Sequence, residues 1–251
     1  MPQTPPLYEQ ATLQQVTGQT VRPGGYFLTE RALELSGIQA PARILDVACG
    51  IGASVRLLRQ KGLQACGIDA SRRMLAAGRR QDSGVPLLLG NGAALPVAHT
   101  SLDAVITECA LSLMPDLKAA MREITRVLRP GGFLFASDLY LRNPRAAREL
   151  RRFPLGTCLQ GARSQAELYG LVKRCGLTVI IWEDHSERLK QLISQLVGAH
   201  GSMQAFWSQS IADEINPFDL QLAIARARPG YYLMIAQKPD RAGNVGKHRS
   251  E

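Results

Sequence analysis

A glycine-bearing turn and the acid that follows it are the residues of this sequence whose types and spacing most clearly indicate ligand chemistry. The turn, Asp46-Val47-Ala48-Cys49-Gly50-Ile51-Gly52, follows an apolar run, and Asp69 stands 23 residues after Asp46. Glycines let the backbone approach a ligand closely, and a carboxylate ending a second strand can accept hydrogen bonds from a ribose diol. Positions 48 and 53 are alanine, so the turn departs from G-x-G-x-x-G. A dinucleotide, and with it an NAD-dependent oxidoreductase, is therefore disfavoured.

The cysteines and one histidine form a second group of candidates. The five cysteines contain no C-x-x-C pair and no zinc spacing, and an odd count argues against a disulfide framework. We therefore expect reduced thiols and no resident metal ion. His185, within Glu183-Asp184-His185-Ser186, could act as a general base near neutral pH. The same segment could instead be a polar turn between a strand and a helix, capped by Asp184 or Ser186.

Alternating strands and helices must position these residues. Apolar strand-like runs alternate with helical runs between 42 and 142, which predicts βαβ units and a parallel sheet. We expect an α/β fold with a doubly wound, mostly parallel, seven-stranded sheet. Thr29 is expected to cap a helix over 28–37, and Pro130-Gly131-Gly132 to close a later one. Further along, we expect a basic helix over 142–153, a helix capped by Ser164 over 164–176, strands over 177–184 and 231–238, and a helix between those strands.

The chain shows no internal repeat and no strong linker, so we expect a single domain over 1–251. Within it we expect an N-terminal arm or cap over 1–40, a cofactor-binding core over 41–142, substrate-side helices and the last strands over 143–238, and a disordered basic tail over 239–251.

The formal charge of +9 raises the question of a nucleic-acid partner, since Lys and Arg neutralise phosphates. Much of the excess lies in an arginine-rich segment, 142–152, and after Lys238, without interleaved aromatic residues that would stack on bases. No run approaches the roughly 18 apolar residues of a membrane helix, and the N-terminus lacks a signal pattern. We expect a cytoplasmic monomer or homodimer with a small-molecule partner, and neither nucleic acid nor membrane.

Four ordered motifs resemble those of class I methyltransferases that use S-adenosylmethionine (SAM). They are D-x-x-C-G-x-G from Asp46, the acid ending the second strand, G-N-G-A-A-L-P at 90–96, and R-V-L-R-P-G-G at 126–132. The resemblance covers roughly 43–138 and implies an enzyme that converts SAM to S-adenosylhomocysteine (SAH). It assigns the methionine moiety to Asp46, Gly50 and Gly52, the ribose to Asp69, and the adenine edge to Asn91 and Gly92, with Ala48, Ala70, Glu108 and Tyr26 completing the implied cofactor site. Family members usually carry Asp at position 91, although an Asn oxygen can still accept from the adenine amino group.

Two further segments resemble the arsenite methyltransferases. One is Cys109 followed by Leu113-Met114-Pro115-Asp116, and the other is Cys158-Leu159-Gln160-Gly161-Ala162 ahead of an amphipathic helix. The resemblance implies that the two thiols hold trivalent arsenic, whose lone pair is the nucleophile, since soft ligands prefer soft ions. That family commonly has cysteines nearer the N-terminus, and none precedes Cys49 here. An arsenic site requires that the sulfurs of Cys109 and Cys158 lie close together.

Several alternatives stay open. The two thiols could serve another soft or thiol-like acceptor, or merely line a pocket for an organic substrate. Tyr8 and Tyr26 of the arm could contact the sulfonium by cation–π attraction, by analogy with other small-molecule methyltransferases. Besides a small-molecule methyltransferase, the sequence leaves room for an O- or N-methyltransferase with His185 as base, a nucleic-acid or protein methyltransferase, and a SAM-binding accessory protein without turnover.

Overall fold

The computed structural model describes residues 5–240. A basic tail was predicted over 239–251, and its residues 241–251 lie outside the described residues. In this part of the chain seven strands are formed: β1 Arg43–Val47, β2 Gln64–Asp69, β3 Leu87–Leu89, β4 Leu102–Glu108, β5 Leu128–Leu141, β6 Thr178–Asp184 and β7 Pro229–Gln237. They make one sheet in the order β3-β2-β1-β4-β5-β7-β6.

Eleven α-helices accompany the strands within the same described range. They are α1 Ala11–Thr17, α2 Phe27–Ser36, α3 Ala53–Gln60, α4 Arg72–Gln81, α5 Leu117–Val127, α6 Ala147–Leu150, α7 Cys158–Gly161, α8 Gln165–Arg174, α9 Ser186–His200, α10 Met203–Ser210 and α11 Pro217–Ala227. Short 3-10 turns connect some of these elements, and the turn Leu111–Leu113 lies beside the site described below.

Every strand of the sheet runs in the same direction except β7, the last strand in the chain. Strands β1 and β4 run side by side with Ile44 opposite Ala104, and both are buried along nearly their whole length, as strands covered on two faces must be. Strand β7 is antiparallel to both of its neighbours, β5 and β6. The predicted α/β fold with a mostly parallel, seven-stranded, doubly wound sheet is therefore confirmed.

Helices cover both faces of the sheet. Met121 and Ile124 of α5 pack into the apolar cluster on one face, whereas Leu28 of α2 and Leu58 of α3 pack into the cluster on the other. The strand order reverses between β1 and β4. In open sheets of this kind the helices diverge at that point and leave a crevice at the carboxyl ends of the strands.

A third apolar cluster lies under α9, α10 and α11. We call these three helices the helical lobe. The cluster joins Leu196 of α9, Phe206 and Trp207 of α10 and Leu220 of α11. All three helices lie between β6 and β7 in the chain, and these two strands are hydrogen-bonded neighbours. The helical lobe is therefore one long connection between two adjacent antiparallel strands.

The first long helix starts earlier than predicted. Helix α2 begins at Phe27 with Tyr26 at its N-cap, so Thr29 lies inside the helix and the prediction that it caps the helix is wrong. Its hydroxyl Oγ1 donates to Glu108 Oε1 (2.7 Å), so the side chain serves a tertiary contact.

The segment Pro130-Gly131-Gly132 belongs to a strand rather than to a helix end. Helix α5 ends at Val127, because Leu128 already pairs with Leu102 of the neighbouring strand. The Gly131 N–H donates to the carbonyl of Lys238 (2.8 Å), which ties this segment to the end of β7.

The basic helix predicted over 142–153 is largely replaced by other structure, since only the four residues of α6 are α-helical there. The N–H groups of Arg142 and Asn143 donate to the carbonyls of Arg228 and Ala227 (3.2 and 3.1 Å), so the first part of the segment follows the end of the helical lobe. A tertiary contact thus overrides the local helical pattern.

Helix α11 was not predicted, although its start carries a recognisable signal. Asn216 is the N-cap and its side chain accepts from the Phe218 N–H (2.9 Å), while Pro217 occupies the first helical position. Asn followed by Pro is a known helix-start pattern, and it could have identified this element.

Candidate functional site

A cavity of about 520 Å³ opens at the carboxyl ends of the central strands. This volume lies within the range of small-molecule binding sites. Its wall contains many of the residues predicted for the cofactor and the acceptor: Tyr8, Asp46, Ala48, Gly50, Asp69, Ala70, Asn91, Gly92, Glu108, Cys109 and Cys158.

The glycine-bearing turn after β1 forms one side of the cavity. Ala48 and Gly50 adopt positive φ angles, 62° and 55°, and the Ala48 N–H donates to the carbonyl of Ile68 in β2 (2.8 Å). A positive φ at a residue with a Cβ costs energy, and such backbone is concentrated at functional sites. Gly52 is not in the cavity wall. A Cβ there would lie 2.7 Å from Leu87 Cδ2, so this glycine permits close packing against β3.

Asp69 is held by two backbone amides. Its Oδ2 accepts from the Gly50 N–H and its Oδ1 from the Ser71 N–H, both at 2.7 Å. Burial raises the pKa of Asp69, and these N–H groups oppose the rise by stabilising the carboxylate. Each carboxylate oxygen has a further lone pair, so the group can still accept from a diol in the cavity.

Asn91 and Gly92 lie in the loop after β3. Asn91 Oδ1 accepts from the Ala93 N–H (2.9 Å), which fixes the orientation of the amide. An amide oxygen has two lone pairs, so one stays available for the adenine amino group that the sequence assigned to this position. A Cβ on Gly92 would lie 3.2 Å from Val47 Cγ1, so the glycine allows the loop to approach β1 closely.

A buried ion pair joins the N-terminal arm to the end of β4. Arg22 Nη1 lies 3.0 Å from Glu108 Oε2, and the two side chains are only 7% and 6% exposed. Thr29 and Ser54 donate to the same carboxylate at 2.7 and 2.6 Å, and Arg22 Nε donates to the Gly25 carbonyl. Sequence reasoning placed Glu108 in the cofactor site but missed Arg22.

Asp46 is a second buried carboxylate in the cavity wall, 3% exposed. Burial raises its pKa well above the ordinary value, and the neighbouring Glu108 raises it further, while Arg22 acts in the opposite direction. A buried anion in this position is stabilised by a cationic ligand group. The methionine end of SAM carries an ammonium and a sulfonium, so the residues present fit the cofactor implied by the sequence.

The two predicted thiols converge, as the arsenite resemblance requires. Cys109 follows β4 with a positive φ of 51°, and its Sγ lies 3.4 Å from the Tyr231 hydroxyl. The Cys158 thiol donates to the carbonyl of Cys109 (3.2 Å). The two sulfurs and a carboxylate oxygen of Asp138 all lie within 4.8 Å of one another.

Asp138 was not predicted, and it is the third member of this group. It is 1% exposed and accepts from the Ser112 N–H and hydroxyl (2.9 Å each) and from the Leu139 N–H (2.7 Å). Burial raises the pKa of Asp138 to about 6, against the opposing effect of these donors. The pKa of Cys158 is raised well above its usual range by its interaction with Cys109 and by burial. The signal available in the sequence was an acid within an otherwise apolar strand, directly after Phe135-Ala136-Ser137.

A glycine sets the position of Cys158. A Cβ on Gly161 would lie 1.8 Å from the Ser112 carbonyl oxygen, so only glycine lets α7 pack against the turn Leu111–Leu113. Cys158 is the first residue of α7. The close approach of α7 to this turn therefore places its thiol beside Cys109.

The opposite end of the cavity is apolar. The helical lobe contributes leucines and other large apolar side chains, among them Leu192, Leu196, Phe206 and Trp207. Gln221 of α11 is the polar residue that the lobe adds to the wall, and its Oε1 is buried with no hydrogen-bond partner among residues 5–240. This end can hold an uncharged organic group.

His185 and Tyr26 are not brought into the cavity wall. His185 Nε2 lies 2.8 Å from Glu183 Oε2, and its ring packs edge-on against Phe27. The backbone explains this placement, because the His185 N–H donates to the Tyr231 carbonyl (2.7 Å) and fixes the residue at the start of α9. Tyr26 instead packs with the small apolar cluster beside α3 and α4.

No helix among residues 5–240 combines the length and the apolar character needed to cross a membrane.

A methyltransferase domain family matches residues 45–136. The chain is 31% identical over 163 residues to a demethylmenaquinone methyltransferase of Corynebacterium glutamicum, which covers 57% of this chain and 70% of that protein. It is 39% identical over 88 residues to an arsenite methyltransferase of Aquipseudomonas alcaligenes, which covers 34% of this chain and 25% of that protein.

The chain spans about half the length of other curated relatives it matches. Among solved structures, the cyclase SpnF is similar with a TM-score of 0.72 and 22% identity, over 95% of this chain and 98% of that one. At this level of identity the likeness establishes the fold and nothing finer.

Proposed function

Because the chain belongs to the class I SAM-dependent methyltransferases, we propose that it transfers the methyl group of SAM to a small organic molecule bound in the same cavity. The observation that supports this most strongly is the continuity of that cavity. Carboxylates and backbone suited to the cofactor lie at one end, two thiols lie in its wall, and an apolar pocket lies at the other end.

The residues of the polar end would hold the cofactor. Asp46 would face the methionine ammonium, Asp69 the ribose hydroxyls, and Asn91 the adenine edge. Bound SAM supplies a methyl group on a sulfonium whose leaving group is already activated. The protein then has to orient the acceptor and exclude water, since holding two reactants at near-attack distance removes most of the entropic barrier.

The apolar end favours an organic acceptor. Leu192, Phe206 and Trp207 would bury the body of such a molecule and direct its reacting atom toward Cys109. His185 lies away from the wall, so the acceptor would have to be nucleophilic without help from this imidazole.

Trivalent arsenic is a second candidate acceptor, favoured by one observation. The sulfurs of Cys109 and Cys158 lie within 4.8 Å of each other and of a carboxylate oxygen of Asp138, and the two sulfurs are soft donors. Each thiol would replace one hydroxyl of arsenite, forming an S–As bond and releasing one water, so the protons are balanced. The arsenic lone pair would then be the nucleophile.

The test is SAH release by the full-length protein with two acceptor sets. One set is arsenite with excess glutathione, and the other is a panel of uncharged apolar phenols and thiols. Cys109→Ser is compared with Cys175→Ser, a thiol packed against the sheet core away from the cavity. Asp69→Ala, which should lose SAM affinity, is the cofactor control.

Turnover of an apolar phenol or thiol supports the first proposal. Turnover of arsenite that disappears in Cys109→Ser but persists in Cys175→Ser supports the second. SAM binding without turnover on either set contradicts both and supports a SAM-binding accessory protein. The cytoplasmic location and the monomeric or homodimeric state stay predictions.

A further inference from the structure

The helical lobe offers its ligand an uncharged wall with one polar group. The side chains that α9, α10 and α11 contribute to the cavity are aliphatic, aromatic or thioether groups, apart from the amide of Gln221. Burying a charge without a partner is costly, so this wall selects against charged ligand groups. Ile193 lines the cavity while being 38% exposed, so the apolar surface continues to the outside of the protein.

The amide of Gln221 has an unused acceptor. Its Oε1 is buried and has no hydrogen-bond partner within the part of the chain that the structure describes. A buried polar atom without a partner costs as much as a lost hydrogen bond, and in native proteins it calls for a water or a ligand. Its neighbours Leu220 and Ala223 are fully buried core residues of α11. Packing of the helix would therefore be served equally well by an apolar residue at position 221.

We infer that Gln221 is a specificity-determining residue for the acceptor. The acceptor is an uncharged molecule with an apolar body and a hydroxyl group, and that hydroxyl donates to Gln221 Oε1. The apolar body lies against Phe206 and Trp207, while the reacting atom points toward the polar end of the cavity. This inference rests on the proposed function, and it narrows the acceptor to a class of hydroxylated apolar compounds.

The experiment measures binding rather than turnover. Full-length protein saturated with SAH is titrated by calorimetry with 4-butylphenol and, separately, with butylbenzene, which has the same apolar body without the hydroxyl. The measured quantity is the ratio of the two affinities. Gln221→Met keeps the length of the side chain and removes the amide. Gln204→Met makes the same change at an exposed position of α10, and serves as the matched control.

In Gln221→Met we expect the phenol-to-butylbenzene affinity ratio to fall about tenfold, the size of one net hydrogen bond. Gln204→Met should leave the ratio unchanged. Ala225→Trp, a substitution at an exposed position of the cavity wall, should weaken both probes without changing the affinity for SAH.

A ratio that survives in Gln221→Met overturns the inference, and so does failure of both probes to bind the SAH-loaded native protein. Failure of SAH itself to bind is a different result, because it contradicts the proposed methyltransferase function. The two proposals can therefore fail separately.

Discussion

At one end of the cavity the wall consists of backbone turns and carboxylates, and at the other end it consists of aliphatic and aromatic side chains. The polar end is built largely within 46–69, where the turn after β1 and the acid ending β2 are adjacent in a parallel pair. The apolar end is built by three helices inserted between β6 and β7. The polar wall is thus part of the sheet, whereas the apolar wall is attached to it.

This difference separates cofactor binding from acceptor choice. Strands β6 and β7 pair with each other along their length, so the sheet does not depend on what connects them. Side chains in the helical lobe can change without moving Asp46 or Asp69. We therefore expect substitutions at the two ends to have different consequences, and three predictions test that expectation.

The largest effect is expected where the polar end depends on buried charge. Arg22→Met leaves the carboxylate of Glu108 buried without its cation, and should lower the free energy of unfolding by about 3–5 kcal/mol. Urea denaturation measures this loss. Arg31→Met is the matched control, because Arg31 pairs with Glu183 at the surface, where an ion pair adds little to stability, so this substitution should cost far less. Equal losses in the two variants would mean that the Arg22–Glu108 pair does not anchor the arm.

The second effect is expected at the carboxyl of Asp138, which is buried beside Cys109 and Cys158. Its folded pKa of about 6 is above the ordinary 3.8, because of burial. The folded protein therefore holds this proton more tightly than the unfolded chain does. The resulting stability is present below about pH 4 and is lost as the pH rises to about 6, a change on the order of 3 kcal/mol.

Asp138→Asn should remove this loss of stability between about pH 4 and pH 6, because an amide does not titrate in this range. The difference in unfolding free energy between the native protein and the variant is measured from pH 3.5 to pH 7. Asp46 and Asp69 also have raised pKa values, but both proteins retain them and their effects cancel in the difference. A difference that stays constant across this range would show that Asp138 titrates normally.

The smallest effect is expected in the helical lobe. Leu192 is half-buried and lines the cavity, so Leu192→Ala should lower stability by only about 1 kcal/mol. The same variant should bind butylbenzene several-fold more weakly and SAM as tightly as before. Leu222→Ala, at a position 40% exposed and outside the cavity wall, should change neither affinity. Weaker SAM binding in Leu192→Ala would show that cofactor binding depends on the helical lobe, contrary to this prediction.

Most parts of the molecule that were predicted from the sequence have local causes. Strand β1 is an apolar run ended by glycines, and Ser164 forms the capping box that its spacing with Glu167 indicates. The convergence of Cys109 and Cys158 was predicted from a resemblance, and the structure brings their sulfurs together. For the strand and the cap the neighbouring residues carry the information, whereas for the two cysteines, 49 residues apart, the resemblance carried it.

The parts that were missed depend on contacts between distant segments. The pairing of Arg22 with Glu108 joins the N-terminal arm to β4, and nothing in either segment identifies the other. The position of His185 is set by a backbone bond to Tyr231, which sequence spacing does not reveal. The apolar pocket exists only because three helices close over the end of the sheet.

The place of β7 in the sheet has a consequence during protein synthesis. Strand β6 is an edge strand whose neighbour is β7, and three helices are translated between the two. At a translation rate of roughly 5–20 residues per second, several seconds pass between the synthesis of β6 and that of β7. During this time Trp182 cannot stack on Tyr232. During that interval the nascent chain exposes an unpaired strand and the apolar faces of α9 to α11, and this is when we expect it to depend most on molecular chaperones.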